Sequence, residues 1–167
     1  SSRTITWIVT DANSESLGAE SSTSVTSTIT ITPLSDAPVV TAGGTLSYTE
    51  NSSSAVVDNT ITITDADDIQ LVGGTITISS GFITGDVLTI ANQNGISQTS
   101  YSSGVLTISG TATLANYQTA LRSITYYSTS EDPTVSSNSR TIAWIVTDAN
   151  SDGAGAANSS GVTSTIN

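Results

Sequence analysis

The chain has 167 residues, with 14 Asp and Glu against three Arg, no His, no Cys and a net charge of −11. That balance excludes a nucleic-acid or anionic-membrane surface, because both need Lys and Arg to displace counterions. Without Cys, His or Lys there is also no disulfide framework, no thiolate or imidazole metal site, no Ser-His-Asp arrangement and no Schiff-base lysine.

The first element sets the organisation of the rest. "SRTITWIVTDANS" (Ser2–Ser14) returns as "SRTIAWIVTDANS" (Ser139–Ser151), with Thr6 against Ala143 as the single change. The offset of 137 residues holds at the next apolar stretch, where "VTSTI" at Val25–Ile29 recurs at Val162–Ile166. An internal repeat outranks local patterns in deciding a fold. The chain is therefore read as one repeat preceded by the tail of another. Residues 1–33 are the last strands of the preceding repeat, 34–37 a connector and 38–167 one nearly complete repeat. In the opening strand Ile5, Trp7 and Val9 alternate onto one face, as Ile142, Trp144 and Val146 do later, and both tryptophans are expected in a core. Two strands alone cannot bury a face. The leading hairpin must therefore complete a neighbouring repeat or a neighbouring filament unit.

The connector "ITPLSDAPVV" (Ile31–Val40) holds Pro33 and Pro38 and no Gly, which predicts a stiff, extended link. Beyond it, "TITIT" (Thr60–Thr64), "TITIS" (Thr75–Ser79), "DVLTIA" (Asp86–Ala91) and "GVLTIS" (Gly104–Ser109) alternate with period two and are read as strands. Turns are expected at Gly73-Gly74, Ser80-Gly81, Asn94-Gly95 and Ser103-Gly104. "TATLANYQTALRSITYY" (Thr111–Tyr127) departs from this pattern. Leu114, Tyr117 and Leu121 have helical spacing, predicting a short helix over Leu114–Leu121 with Tyr117 and Leu121 in the core, then a strand from Ser123. The whole is all-β: an antiparallel sandwich with one short helical turn.

The acids gather at strand ends: Asp36, Glu50, Asp65, Asp67, Asp68, and the repeated pair Asp11 and Asp148. If Asp65–Asp67 is extended, its two carboxylates project to one side about 6–7 Å apart. Like charges in one corner repel unless a cation screens them, and Ca²⁺ accepts carboxylates, carbonyls and water in loose geometry. Asp at a strand end is equally ordinary turn chemistry, bonding its own backbone two residues on. Asn51-Ser52-Ser53 fits the glycosylation acceptor pattern, which a Ser-rich chain meets easily by chance.

At these residues the chain resembles a known group. "TEN" at Thr49–Asn51, "DADD" at Asp65–Asp68 and "SDAP" at Ser35–Pro38 are followed by "GFITGDVLTIANQNGI" from Gly81 and "GVLTISGTATLANYQTALRSITY" from Gly104. Their order is similar to that of the bacterial cadherin-like repeats of very large surface adhesins, over nearly the whole of Asp36 onward. The resemblance implies a cadherin/immunoglobulin-like sandwich and Ca²⁺ between successive domains, held by Asp36, Glu50, Asp65 and Asp67; Asp68 joins these candidates from the acidic Asp65–Asp68 corner itself. Asp11 and Asp148 are a possible second site. Ser35 stands where that pattern usually has Asn, and the connector has a single acid, which implies fewer ions or weaker binding.

The resemblance implies a non-enzymatic repeat of a long extracellular bacterial adhesin or surface fibre. Its partners would be neighbouring repeats and cell-surface polysaccharide, in settings such as biofilm, with no nucleic acid and no membrane insertion. Two alternatives stand beside it. One is a self-assembling filament subunit with strand exchange between units. The other is a polysaccharide-binding module, which requires an exposed aromatic row.

Overall fold

A computed structural model describes residues 1–151 and 153–167 and divides into two units, Ser1–Leu34 and Ser35–Asn167. The first is a single antiparallel hairpin of β1 (Ser2–Trp7) and β2 (Val25–Thr30), in register from Ser2 opposite Thr30 to Trp7 opposite Val25. Beyond the paired strands, Thr10 bridges Ser21, and the loop turns through left-handed Asn13 and Ser16. Neither strand buries a residue within its own unit.

The second unit is a two-layer sandwich. Its strands are β3 (Val39–Thr41), β4 (Thr45–Leu46), β5 (Ala55–Val56), β6 (Thr62–Thr64), β7 (Gln70–Ser80), β8 (Asp86–Thr89), β9 (Ser97–Ser102) and β10 (Val105–Thr113). The helix α1 (Leu114–Leu121) follows, and then β11 (Thr125–Ser128), β12 (Arg140–Asp148) and β13 (Val162–Ile166). One layer is a six-stranded sheet in the order β4-β13-β12-β7-β10-β9. The other is made of β5-β11-β8 and the β3-β6 pair. Pairing is antiparallel except between β13 and β4. The core between the layers is one cluster, drawing Leu71, Ile76, Leu106 and Trp144 from the first and Val40, Ile63, Leu88 and Tyr126 from the second. The expected sandwich is therefore present, and the helix has the predicted bounds. It starts where the Thr113 hydroxyl accepts the Asn116 amide, satisfying a donor that the first turn leaves free. Tyr117 and Leu121 are fully buried, as their spacing required, and the Tyr117 hydroxyl donates to Gly110 O at 2.6 Å.

Two of the expected turns differ in kind. Asn94-Gly95 and Ser103-Gly104 are tight hairpin turns with positive φ at both residues, the combination that follows the twist of the strands. Gly73-Gly74, by contrast, lies inside β7, hydrogen-bonded on both sides. A Cβ on Gly74 would stand 2.9 Å from Ile145 O. The pair therefore allows close backbone approach in a central strand, which is the other use of glycine in sheets.

Two buried carboxylates tie the layers together. Asp86 accepts from Arg140 Nε at 2.6 Å, from the Tyr126 hydroxyl at 2.7 Å and from the Ile83 amide at 3.0 Å. Burial, reinforced by the bond to Asp86, raises the Tyr126 phenol far above its ordinary range. Asp58 accepts from the amides of Gly43, Gly44 and Thr60 and from the hydroxyls of Thr60 and Ser164. Burial alone would raise its carboxyl, but the hydrogen bonds from Ser164, Thr60 and Gly43 outweigh it and hold the group well below the carboxylate range. Ser164 in turn accepts from Trp144 Nε1 at 2.9 Å, so the buried indole is anchored across the core to Asp58.

Removing one partner of a buried ion pair strands the other charge and costs about 3–5 kcal/mol. Asp86→Ala is expected to lower the urea midpoint by a corresponding amount with an unchanged slope, and a loss under about 1 kcal/mol would contradict the buried pair. Asp58 has a depressed carboxyl in the folded state. Its contribution is present above its ordinary value of 3.8 and is lost as pH falls below it towards the depressed value. Asp58→Asn should therefore be less stable at neutral pH and show a flatter acid limb in stability-against-pH curves.

Candidate functional site

The structure brings four of the predicted acids to one end of the sandwich, with Asp148 beside them. β12 ends at Asp148, which pairs with Leu71 near the start of β7. The segment before β7 folds back as a turn, so Asp65–Asp67 is not extended. The Asp65 carboxylate accepts the amides of Asp67 and Asp68 at 3.2 and 3.1 Å, the side-chain capture that competes with a strand ladder. The connector joins the same corner, since the Asp36 amide donates to Asp67 Oδ2 at 3.1 Å. Ser35 makes a longer bond to Asp148 Oδ2, at 3.4 Å.

These carboxylates differ in what remains free. Asp148 is buried and used up, accepting from the amides of Asn150 and Ala157 at 3.1 and 2.9 Å as well as from Ser35. It organises the loop after β12. Asp68 is 2% exposed. One of its oxygens accepts the Ser151 amide at 3.0 Å, while Oδ2 is buried and has no donor among the described residues; Asp65 Oδ2 is in the same condition. An unpartnered buried anionic oxygen is costly. Burial, with the neighbouring Asp67 carboxylate adding to it, raises the Asp65 carboxyl above its ordinary value.

Two donorless carboxylate oxygens in one turn fit a hard cation. Among the described residues no three acidic side chains gather at metal-binding distance. A Ca²⁺ held here would take Asp65 and Asp68 and complete its shell from carbonyls, hydroxyls and water, which its variable coordination allows.

Glu50 is elsewhere. It lines a cavity of about 250 Å³ with Tyr48, Tyr126, Arg140 and Asn167. Arg140 and Asp148 are the two ends of β12, roughly 26 Å apart at the usual strand rise, so Glu50 belongs to the opposite end of the unit from Asp65 and Asp68. Asp11, in the first unit, accepts the amides of Asn13 and Glu20 at 3.0 and 3.3 Å. It holds its loop as Asp148 holds the later one. Of the two tryptophans, Trp144 is fully buried but Trp7 is 54% exposed, contrary to the expectation that both are core.

The two acids most engaged with the core, Asp58 and Asp86, are not among those the sequence singled out. A signal for Asp86 was available: Arg140 shares the inward register of Ile142, Trp144 and Val146, and a cation on a buried register requires a carboxylate partner. Asp58 had no such marker: its bonds to Thr60 are ordinary local turn chemistry, and the donors that bury it, the amides of Gly43 and Gly44 and the Ser164 hydroxyl, are 14 to 106 residues away in sequence.

Over 108 residues the chain is 36% identical to Halomucin of Haloquadratum walsbyi. The aligned stretch covers 60% of this chain and 1% of that protein, so the likeness is to a small segment of a very long polypeptide. No family model matches the chain, and no solved structure matches it. Among the described residues no helix is long and apolar enough to cross a membrane.

The raised Asp65 carboxyl fixes the sign of a pH effect. With its folded value above the unfolded one, the folded state binds the proton more tightly, so stability falls as pH climbs from about 3.8 through the raised value. Asn at this position keeps the oxygen that accepts both amides and removes the charge. In the presence of chelator, Asp65→Asn should be more stable than the parent at pH 7 and equal to it at pH 3. Urea titrations at both pH values measure this, and a parent chain more stable than the variant at pH 7 would contradict it.

Proposed function

We propose that this chain is a repeat segment of a long extracellular surface protein. Its work is mechanical: to extend and stiffen that protein, with Ca²⁺ at the Asp65–Asp68 corner. The observation that carries the reading is the path of the chain through the second unit. It begins at Ser35 and Asp36, bonded to Asp148 and Asp67 at one end. It finishes at Asn167, bonded to Leu46 and Tyr48 beside Arg140 and Glu50 at the other. A unit that receives the chain at one end and releases it at the opposite end adds length each time it is copied.

The 137-residue duplication and the likeness to a short stretch of Halomucin support the same reading. So does the acidic, Thr- and Ser-rich composition, which suits a highly solvated surface. Neighbouring repeats are the partners this requires. The role of an adhesin, joining cells or holding polysaccharide, is the finer form of the proposal.

Calcium titration tests the metal. Ca²⁺ at a hundredfold excess over its Kd should stabilise the folded chain by about 2.7 kcal/mol, seen as a rise in melting temperature that chelator reverses. Asp68→Asn should abolish the rise, while Asp11→Asn should leave it. A melting temperature indifferent to Ca²⁺ and chelator would leave these acids as turn formers only. Antibodies against the chain should also label intact cells of the source organism, and signal only after lysis would contradict the surface assignment.

A further inference from the structure

The two copies of the duplicated hairpin are built alike bond by bond. Trp7 Nε1 donates to Ser27 Oγ at 3.0 Å, as Trp144 Nε1 does to Ser164 Oγ at 2.9 Å. The Val9 amide donates to the Ser22 hydroxyl as the Val146 amide does to that of Ser159. Asn13 accepts from Gly18 as Asn150 does from Gly155, and both asparagines have positive φ. What differs is cover. In the later copy β12 is paired with β7 along its outer edge, and the inward face lies in the core. In the first copy β1 pairs, among the described residues, only with β2, and Ile5, Trp7, Val9 and Ile29 are exposed.

The pattern of substitutions indicates what belongs there. Every residue buried in the β12–β13 hairpin, from Arg140 and Trp144 to Ser164 and Ile166, has the identical residue 137 positions earlier. Among the described residues, every position at which the copies differ is exposed or half-buried in the later one. Ala143, the counterpart of Thr6, is half-buried, and Gly153 and Ala154 are in the exposed loop. Arg3 is retained although its guanidinium donates to Ser2 O and not to a carboxylate of its own unit. A hairpin that stayed in solvent would have no need of a core-facing arginine.

We infer that the bare face of the β1–β2 hairpin is the seat of a body built like Ser35–Ser137, in the same polypeptide ahead of Ser1. That body supplies a β7-like strand to the edge of β1, a carboxylate in the place of Asp86 for Arg3, and one in the place of Asp58 for the Ser27 hydroxyl. This rests on the tandem-repeat reading and not on the metal.

The test places a copy of Ser35–Ser137 directly before Ser1 of the full chain, which keeps the 137-residue offset, and is run entirely in chelator, so that a failed calcium site does not affect it. The added body contains no tryptophan, so Trp7 and Trp144 remain the two fluorophores. In the 167-residue chain acrylamide should quench Trp7 and spare Trp144. In the extended chain both should be protected, and Arg3→Ala should restore quenching of Trp7 while leaving Trp144 protected. Trp7 equally quenchable with and without the added body would overturn the inference. So would protection of Trp7 in the unextended chain that rises with its concentration, since the seat would then be taken by a second copy.

Discussion

A two-stranded ribbon has an apolar face that it cannot bury and an edge that it cannot pair. That constraint governs this molecule. In Ser35–Asn167 it is met by setting the β12–β13 ribbon into a six-stranded sheet, with β7 on one edge and β4 on the other, under a second layer led by β11 and β8. The inward register of β12 then decides the chemistry of the core. Ile142, Trp144 and Val146 fill it. Arg140 at one end requires Asp86, and Asp148 at the other binds the following loop. The sandwich is held by packing in its middle and by fully engaged carboxylates near its ends.

The Asp65–Asp68 turn is unlike the rest. Asp58, Asp86 and Asp148 each have a complete set of donors, and the chain commits backbone amides, hydroxyls and one of its three arginines to provide them. Asp65 and Asp68 each keep a buried oxygen with no donor among the described residues. A fold that satisfies its other buried acids so fully, and leaves two open where the chain enters the unit, has placed its electrostatic strain at that end. In the function proposed above, a divalent ion would relieve that strain.

Much of this was legible in the residues. Period-two alternation located β6, β7, β8 and β10, and the Leu114–Tyr117–Leu121 spacing located the helix. The duplicated text at Ser2–Ser14 and Ser139–Ser151 is enough by itself to mark a repeat. Three things were not legible. Gly73-Gly74 reads as a turn because glycine serves both turns and close-packed strands, and only the neighbouring Ile145 carbonyl distinguishes them. Asp65–Asp67 reads as extended because local alternation carries no sign of a side chain folding back on two amides. The opposite placement of Glu50 and Asp65 depends on topology, which pairs β13 with β4 and β12 with β7 and so separates residues only 15 apart in sequence.

A unit that lengthens a fibre must have its entry and exit at opposed ends. Small-angle X-ray scattering of chains carrying one, two and three copies of Ile31–Asn167 measures this directly. The maximum dimension should grow by a constant step per copy, no smaller than the roughly 26 Å that β12 alone spans. A dimension that grows only as the cube root of mass, with the copies collapsed on one another, would contradict it.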